Sequence, residues 1–464
     1  MSTSEQSWVE HVMWWQVYPL GFVGAPIRPE AATGAAPVEH RLGRIAAWLD
    51  HLVGLGLNGL SLGPVFAATS HGYDTVDHFR IDPRLGDEGD FEALVAAAHE
   101  RGVRVLLDGV FNHVGRAHPA FVAVQERGAE APEAALFRID WASEAGSGAP
   151  DAAGSTPWRP GDPVPAEVFE GHDQLVALDH SSPAVEDLVV SVMTHWLDRG
   201  ADGWRLDAAY AVPPAFWARV LPRVRQTHPE AWFSGEVIHG DAAALVRESG
   251  LDSLTQYELW QGIWHGIADS NLFELAHAVE RHSELLGAFI PSTFIGNHDV
   301  TRIATALGDA RLLPHAVALL FTLAGTPSVY AGDEFGYRAV KEERLGGDDA
   351  VRPEFPAEPP VEATLAPDAR AALAVHGELI ALRRRYPWLH SARTDVVSVT
   401  NTALLLRTAT GAGAVLTALN IGTEPVLLPR AGAEQVEAGS ATIEADGIAV
   451  EPFGWAVLTS GPTA

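Results

Sequence analysis

Short apolar runs alternate with amphipathic segments along most of the chain. The apolar runs predict strands over residues 14–22, 59–66, 103–108, 203–208, 232–237, 254–259, 293–296 and 327–330. The run VRVLLD at 103–108 is continuous rather than alternating, the pattern of a strand covered on both faces of a parallel sheet. Between the strands, helical periodicity predicts helices such as 41–55, 91–101, 185–199 and 272–286. Eight strands separated by helices or long excursions predict an α/β chain folded as a (β/α)8 TIM barrel rather than an open sheet.

Two segments do not fit a minimal barrel. Residues 114–180 separate the third strand from its helix, are rich in Gly, Pro, Ala and Trp, and read as an inserted subdomain on the strand-end face. After a helix around 371–386 the chain turns to short alternating strands, VVSVT, ALLLRTA, AVLTALN and TIEADGIAVE, which predict a C-terminal antiparallel β-sandwich. The expected division is a barrel over 1–113 and 181–392, an inserted subdomain over 114–180, and a sandwich over 393–464. A length of 464 residues suffices for that plan. No internal repeat is visible, and no pattern specifies an oligomeric state.

Charge and composition narrow the partners. Sixty acidic against 31 basic side chains give a net charge of −29, which repels nucleic-acid phosphates and anionic lipid but not a neutral sugar. We therefore expect neither a nucleic acid nor a membrane as partner. Cysteine is absent, which excludes disulfides, thiolate metal sites and a cysteine nucleophile. The opening MSTSEQSWVEHVMWWQVYP lacks a basic stretch followed by an apolar one, and no run approaches the roughly 20 apolar residues of a membrane span. A cytoplasmic location is expected.

Two familiar motifs are coincidental. Gly54, Gly56 and Gly59 spell the dinucleotide pattern G-x-G-x-x-G, but a helix leads in and a strand leads out, the reverse of what places a pyrophosphate on a helix N-terminus. Residues 59–63 spell G-x-S-x-G, yet Ser61 lies inside an apolar run and not at a turn into a helix. No Walker A loop or H-E-x-x-H helix is present.

Four polar clusters stand where predicted strands end: DGVFNH at 108–113, GWRLDAAY at 203–210, GEVI at 235–238 and GNHD at 296–299. In a (β/α)8 barrel all such ends converge on one face. A single carboxylate there also serves as a helix cap or half of an ion pair. Clusters at the third, fourth, fifth and seventh strands exceed what capping explains. They would gather Asp207, Glu236 and Asp299 with Arg205, His113 and His298 in one pocket. Neighbouring carboxylates repel, which spreads their pKa values. Glycoside hydrolysis needs that spread, with one carboxylate ionised and another protonated. Arg205, two residues before Asp207 on a strand, shares its face and can hold it ionised.

The sequence resembles the α-amylase superfamily, glycoside hydrolase family 13. The likeness runs from WWQVYP through GLNGLSLGPVF, HGYDTVDHFRIDPRLG and the four clusters in order to GTPSVYAGDEFG. It implies that Asp207 is the nucleophile, Glu236 the general acid/base and Asp299 the third carboxylate, gripping ring hydroxyls. It implies a substrate-binding set of Tyr73, Asp108, His113, Arg205, His298 and Arg302, with Tyr73 stacking under the reacting sugar and Asp77 bracing its loop. The alternative for Tyr73 is an aromatic core plug.

The chain departs from the family's calcium pattern. Ala177 stands where the resemblance implies an aspartate ligand and Ala211 where it implies a histidine, leaving Asn112 alone. A hard cation needs about six oxygen ligands, so the family calcium is expected to be absent and no cofactor required. Asp348 and Asp349 are a separate candidate ion site. The resemblance is strongest to neopullulanase, cyclomaltodextrinase and α-glucosidase types, and implies an oligosaccharide substrate with α-1,4 bonds cleaved by double displacement. Two competitors remain: transfer to a sugar acceptor by the same residues, and a non-catalytic barrel, which the intact carboxylates disfavour. The loop over 337–356, after the eighth strand, is expected either to shape the leaving-group side or to be an ordered surface loop.

Overall fold

The computed structural model describes residues 8–29, 37–141, 158–159 and 161–460. Eight parallel strands form a ring: Trp14–Val17, Gly59–Leu62, Arg104–Gly109, Gly203–Leu206, Trp232–Gly235, Ser253–Leu254, Ser292–Phe294 and Thr326–Tyr330. The eighth strand returns to the first through Trp14↔Ser328. Between the sixth and seventh strands the ladder shrinks to one bridge, Thr255↔Ser292. Serine hydroxyls reinforce that seam: Ser292 Oγ lies 2.9 Å from Ser234 Oγ and 3.0 Å from Ser253 Oγ, which also donates to Ile290 O at 2.8 Å. The (β/α)8 barrel read from the sequence is the observed fold.

Several predicted strands are shorter than expected, each for a local reason. The run at 14–22 ends at Val17, because Pro19 has no N–H for the ladder and instead opens a short helix, Pro19–Phe22. The run at 59–66 stops at Leu62, and Phe66–Ala68 pairs instead with Thr75–Ile81 in an antiparallel hairpin. The largest correction is at 254–259. Only Ser253–Leu254 is strand, and Gln256 then caps a helix, Tyr257–Ala268, with its Oε1 accepting from the amides of Glu258 and Leu259. The helix expected at 41–55 is two, Gly43–Ala46 and Leu49–Leu55. Gly56 ends the second in the left-handed region at φ 91°, which makes the G-x-G-x-x-G stretch a helix-to-strand turn. Ser61 lies within the second strand.

Tryptophans fill the layer between strands and helices: Trp15, Trp48, Trp196, Trp204 and Trp217 are all fully buried. The inserted segment is anchored by an antiparallel pair, His113–Gly115 with Leu175–Ala177. After the helix Pro367–Arg385, a five-stranded antiparallel sheet begins at Arg393, faced by a three-stranded sheet of Val426–Pro429, Gly447–Val450 and Thr442–Ile443. Alternation splits the larger sheet's side chains. Leu405, Leu416 and Leu458 pack toward Ile448 of the smaller sheet, while Leu404, Leu406 and Val415 join the barrel's core. Thr417 Oγ1 donates to Thr322 Oγ1 of the barrel helix Leu313–Thr322 at 2.9 Å.

Candidate active site

The ends of the third, fourth and fifth strands meet around one guanidinium. Arg205 Nη1 lies 2.7 Å from each oxygen of Asp108 and 3.3 Å from Asp207 Oδ1, while its Nη2 lies 2.7 Å from Glu236 Oε1. The backbone turns sharply after the fourth strand. Asp207 N donates to Gly109 O at 3.0 Å, and Ala208 adopts a left-handed conformation at φ 45°. That twist aims the Ala208 amide at Glu236 Oε2, 3.1 Å away. Glu236 Oε1 also accepts from Tyr257 OH at 3.1 Å, and Tyr257 is itself held by Asn297 Nδ2 at 3.0 Å.

Asp299 stands on the opposite wall. His298 Nε2 lies 3.0 Å from Asp299 Oδ2, and Arg352 Nη2 lies 2.6 Å from Asp299 Oδ1. Arg352 Nε also donates to His298 O at 2.9 Å, and its Nη2 reaches Asp348 Oδ2 at 2.7 Å. Gln16 Nε2, 3.3 Å from His298 Nδ1, can donate to it and leave Nε2–H for the acid side. Tyr73 bonds through its hydroxyl to His298 Nε2 and donates to Asp108 Oδ2 at 3.2 Å. Its ring lies parallel to that of His298, with centroids 5.7 Å apart.

Four carboxyls thus face two guanidiniums in a largely buried pocket. Burial and the adjacent Glu236 push Asp207 well above the usual carboxylate range, with Arg205 opposing. Asp108 is raised as well, by burial against the pull of Arg205. Burial also acts to raise Asp299, yet His298 and Arg352 outweigh it and hold that carboxyl well below its ordinary value. The carboxyls of the site are thus pushed in opposite directions, Asp207 and Asp108 up and Asp299 down. The excess of acids over arginines retains a proton at pH values where isolated carboxyls would lose it.

Of the sequence-derived residues, Asp207, Glu236, Asp299, Tyr73, Asp108, Arg205 and His298 converge here. His113 stands at the edge with both ring nitrogens occupied: Nε2 donates to Tyr73 O at 3.0 Å and Nδ1 faces Asn112 Nδ2 at 3.2 Å. Burial lowers its pKa to about 4, which keeps the ring neutral, and its Nε2 bond fixes the backbone of Tyr73. Arg302 does not face the pocket. It is 1 % exposed and spends its donors on Ala331 O, Asp333 Oδ1 and Val351 O. Asp77 does not brace the tyrosine's loop beyond accepting from Phe79 N, a task that falls to Asp74, bound by Ser70 N and Oγ, and to Asp82, bound by Arg84. Arg352, Tyr257, Asn297 and Gln16 were not singled out from the sequence. Asn297 lies inside the quoted GNHD block, and Arg352 inside the loop at 337–356; a partly buried acid such as Asp299 with no arginine close by in its own motif was the signal to look for one.

At the proposed ion positions, Ala177 and Ala211 present methyl groups. Asp348 and Asp349 are each ion-paired, to Arg352 and Arg28. Among the described residues, one cluster of three acidic or histidine side chains lies close enough to share an ion: His40, Asp87 and Asp90. Its two aspartates already form the capping box of the helix Glu88–Glu100. No helix among the described residues is long and apolar enough to cross a membrane.

Comparison with known proteins agrees with this geometry. The alpha-amylase family, described as "Alpha amylase, catalytic domain", matches residues 41–358. A cyclomaltodextrinase from a Bacillus species is 33 % identical over 354 residues, covering 71 % of this chain and 60 % of that one. Neopullulanase 2 of Thermoactinomyces vulgaris is 32 % identical over 300 residues, covering 62 % of this chain and 48 % of its own. The chain thus spans half to three fifths of the length of these relatives. Among solved structures, a cyclic α-maltosyl-(1→6)-maltose hydrolase from Arthrobacter globiformis superposes with a TM-score of 0.79 at 25 % identity, covering 98 % of this chain and 100 % of that one. The chain belongs to the α-amylase family of glycoside hydrolases.

Proposed function

We propose that this protein hydrolyses α-1,4-glucosidic bonds of maltooligosaccharides and maltodextrins with net retention, through a covalent glucosyl-enzyme on Asp207. The observation that carries this reading is the shared guanidinium. Arg205 holds Asp207 and Glu236 on adjacent nitrogens, with Asp299 on the opposite wall. In the first step Asp207 Oδ attacks the anomeric carbon while Glu236 gives its proton to the bridging oxygen, and the leaving sugar departs as an alcohol. In the second step Glu236 takes a proton from water, which attacks the same carbon and releases Asp207. The proton retained by the carboxyl cluster must sit on Glu236 when Asp207 attacks. Arg205, touching both, stabilises the ionised nucleophile. Asp299, held ionised by His298 and Arg352, accepts from ring hydroxyls and favours the distorted sugar. The names of the relatives, a cyclomaltodextrinase and a neopullulanase, support a glucan substrate.

The reading includes activity without calcium at the family position. Two of its expected ligands are methyl groups, and the Asn112 amide nitrogen lies against His113 Nδ1, so the residues present do not fit a hard cation.

A time course with maltotriose, maltoheptaose, isomaltose, sucrose and trehalose, resolving every product, tests the proposal. Shorter sugars alone meet the expectation. Products longer than the substrate, or isomers of it, would move the assignment to transglycosylation by the same residues. No turnover of any would sink it.

A further inference from the structure

The interior of the barrel beneath the catalytic groups is filled in an unusual way. Trp14 and Trp232 stack at its foot, with ring centroids 5.7 Å apart and planes 17° from parallel, and Leu106 packs with them. Barrels ordinarily fill the space above such a floor with bulky branched side chains. Here Ser61, Ser234, Ser292 and Ser328 line a cavity of about 50 Å³, which Arg205 and Gln16 of the active site also border. A polar cavity holds water from roughly 10–15 Å³ upward, so this one has room for more than one molecule.

The polar groups around the cavity do not satisfy one another. Ser234 and Ser292 bond each other, but the hydroxyls of Ser61 and Ser328 and the Gln16 side-chain oxygen have no protein partner among the described residues. The most demanding group is Arg205. It is 7 % exposed and spends Nη1 on Asp108 and Asp207 and Nη2 on Glu236, which leaves Nε without a protein acceptor. A buried N–H of a charged group is costly when unpaired, and the cavity beside this one is lined with hydroxyls to which water can link it.

We infer that this cavity is a binding site for a cluster of ordered water, which accepts from Arg205 Nε and is itself held by Ser61, Ser328 and Gln16. Arg205 grips both Asp207 and Glu236, so water on its remaining nitrogen fixes the plane in which the guanidinium presents itself to them. Ser61 and Ser328 are then positioning residues, acting on the nucleophile and the acid/base through water and Arg205. This rests on the reading of the protein as an α-glucan hydrolase and adds to it what supports the shared guanidinium from inside the barrel.

Two measurements on the intact protein test it. A high-resolution crystal structure is expected to show ordered water within hydrogen-bonding distance of Arg205 Nε and of the Ser61 or Ser328 hydroxyl. Xenon, which enters dry apolar cavities, is expected to stay out of this one. No solvent at Arg205 Nε, or xenon in its place, overturns the inference.

The second measurement reads the role. Ser61→Ala combined with Ser328→Ala removes two hydroxyls that bond no protein group, so in a dry cavity the double variant would melt higher and keep its activity. With water held there, the variant is expected to lower kcat/KM for maltotriose about tenfold, the scale of one charge-assisted hydrogen bond. Burial, Glu236, Asp108 and Asp299 raise Asp207 and Arg205 opposes them, so a loosened guanidinium should also move the acid limb of the kcat/KM profile to higher pH. Parent-like kcat/KM overturns the positioning role, and so does a fall with an unmoved acid limb, which is general damage. Parent protein that does not turn over maltotriose removes the hydrolase reading, and the crystal structure then decides the water site by itself.

Discussion

Arg352 reaches from the loop after the eighth strand to within 2.6 Å of Asp299 Oδ1, while its Nε fixes His298 O at 2.9 Å. One guanidinium thus sets the position of the third carboxylate and of the histidine beside it. Arg352→Ala is expected to lower kcat/KM about 10- to 100-fold, the loss of a charge-assisted hydrogen bond in a buried site. Arg352→Lys should recover little, since an ammonium on a flexible stem cannot serve three acceptors in one plane. Activity near that of the parent in the alanine variant would show that Asp299 is held without it.

The two central carboxyls can be tested by shape-preserving change. Asp207→Asn and Glu236→Gln are each expected to cut turnover by at least about 10²- to 10⁴-fold while melting within a few degrees of the parent. Near-normal turnover in either removes the assigned role.

Arg302 gives the opposite pattern. Its partner Asp333 is equally buried, and burial raises that acid to about 6 even though Arg302 opposes it. Arg302→Met leaves a buried acid unpaired and should cost about 3–5 kcal/mol of stability. KM for maltotriose, measured below the melting temperature, should stay within about twofold, because no atom of Arg302 borders the sugar's pocket. A large KM change with an unchanged melting temperature would return Arg302 to the substrate-binding set.

Acid should weaken the fold early. Burial lowers His113, His118, His180, His282 and His390 to about 4 each. In the unfolded chain these rings take a proton near pH 6.5, whereas in the folded chain they resist until about pH 4. The unfolded state therefore binds more protons across that window, and stability falls as pH drops through it. Asp333, raised to about 6, and the raised Asp108 and Asp207 work the other way over part of the range, but they are three groups against five. Tm should fall by roughly 5 °C or more between pH 7.5 and pH 5. A flat or rising Tm would contradict the burial of these rings.

Chelation tests the calcium reading. Dialysis against EDTA is expected to leave turnover within about twofold and the melting temperature unchanged. A drop restored by calcium alone would mean that backbone carbonyls supply what Ala177 and Ala211 do not.

The barrel and most of the pocket were legible because they are local. VRVLLD followed by DGVFNH states both a buried strand and what stands at its end, and strand ends in a barrel converge. The sixth strand was not legible. LTQYEL is as apolar and β-prone as its neighbours, and only the cap made by Gln256 to Glu258 and Leu259 turns it into a helix. That error hid Tyr257 as the mount of Glu236. Arg352 was hidden for a different reason. It lies 53 residues beyond Asp299 in a loop without periodicity, so nothing short of the folded chain pairs them. Arg302 misled in the reverse sense, being near the catalytic block in sequence and turned away from it in space.

The seam between the sixth and seventh strands gives the barrel a built-in weak joint. Its ladder is one bridge, and above it the Tyr257–Asn297 hydrogen bond acts as a strut across the gap. Tyr257 also donates to Glu236, so one of the three contacts that hold that carboxyl, beside Arg205 and the Ala208 amide, is mounted on the clasp of the ring. When the barrel breathes at this joint, Glu236, the proposed proton donor, loses that contact and its exact orientation while the remaining strands stay paired. Warming should therefore silence the enzyme some degrees below the temperature at which its fold collapses, with amide exchange rising first at residues 253–257 and 292–294.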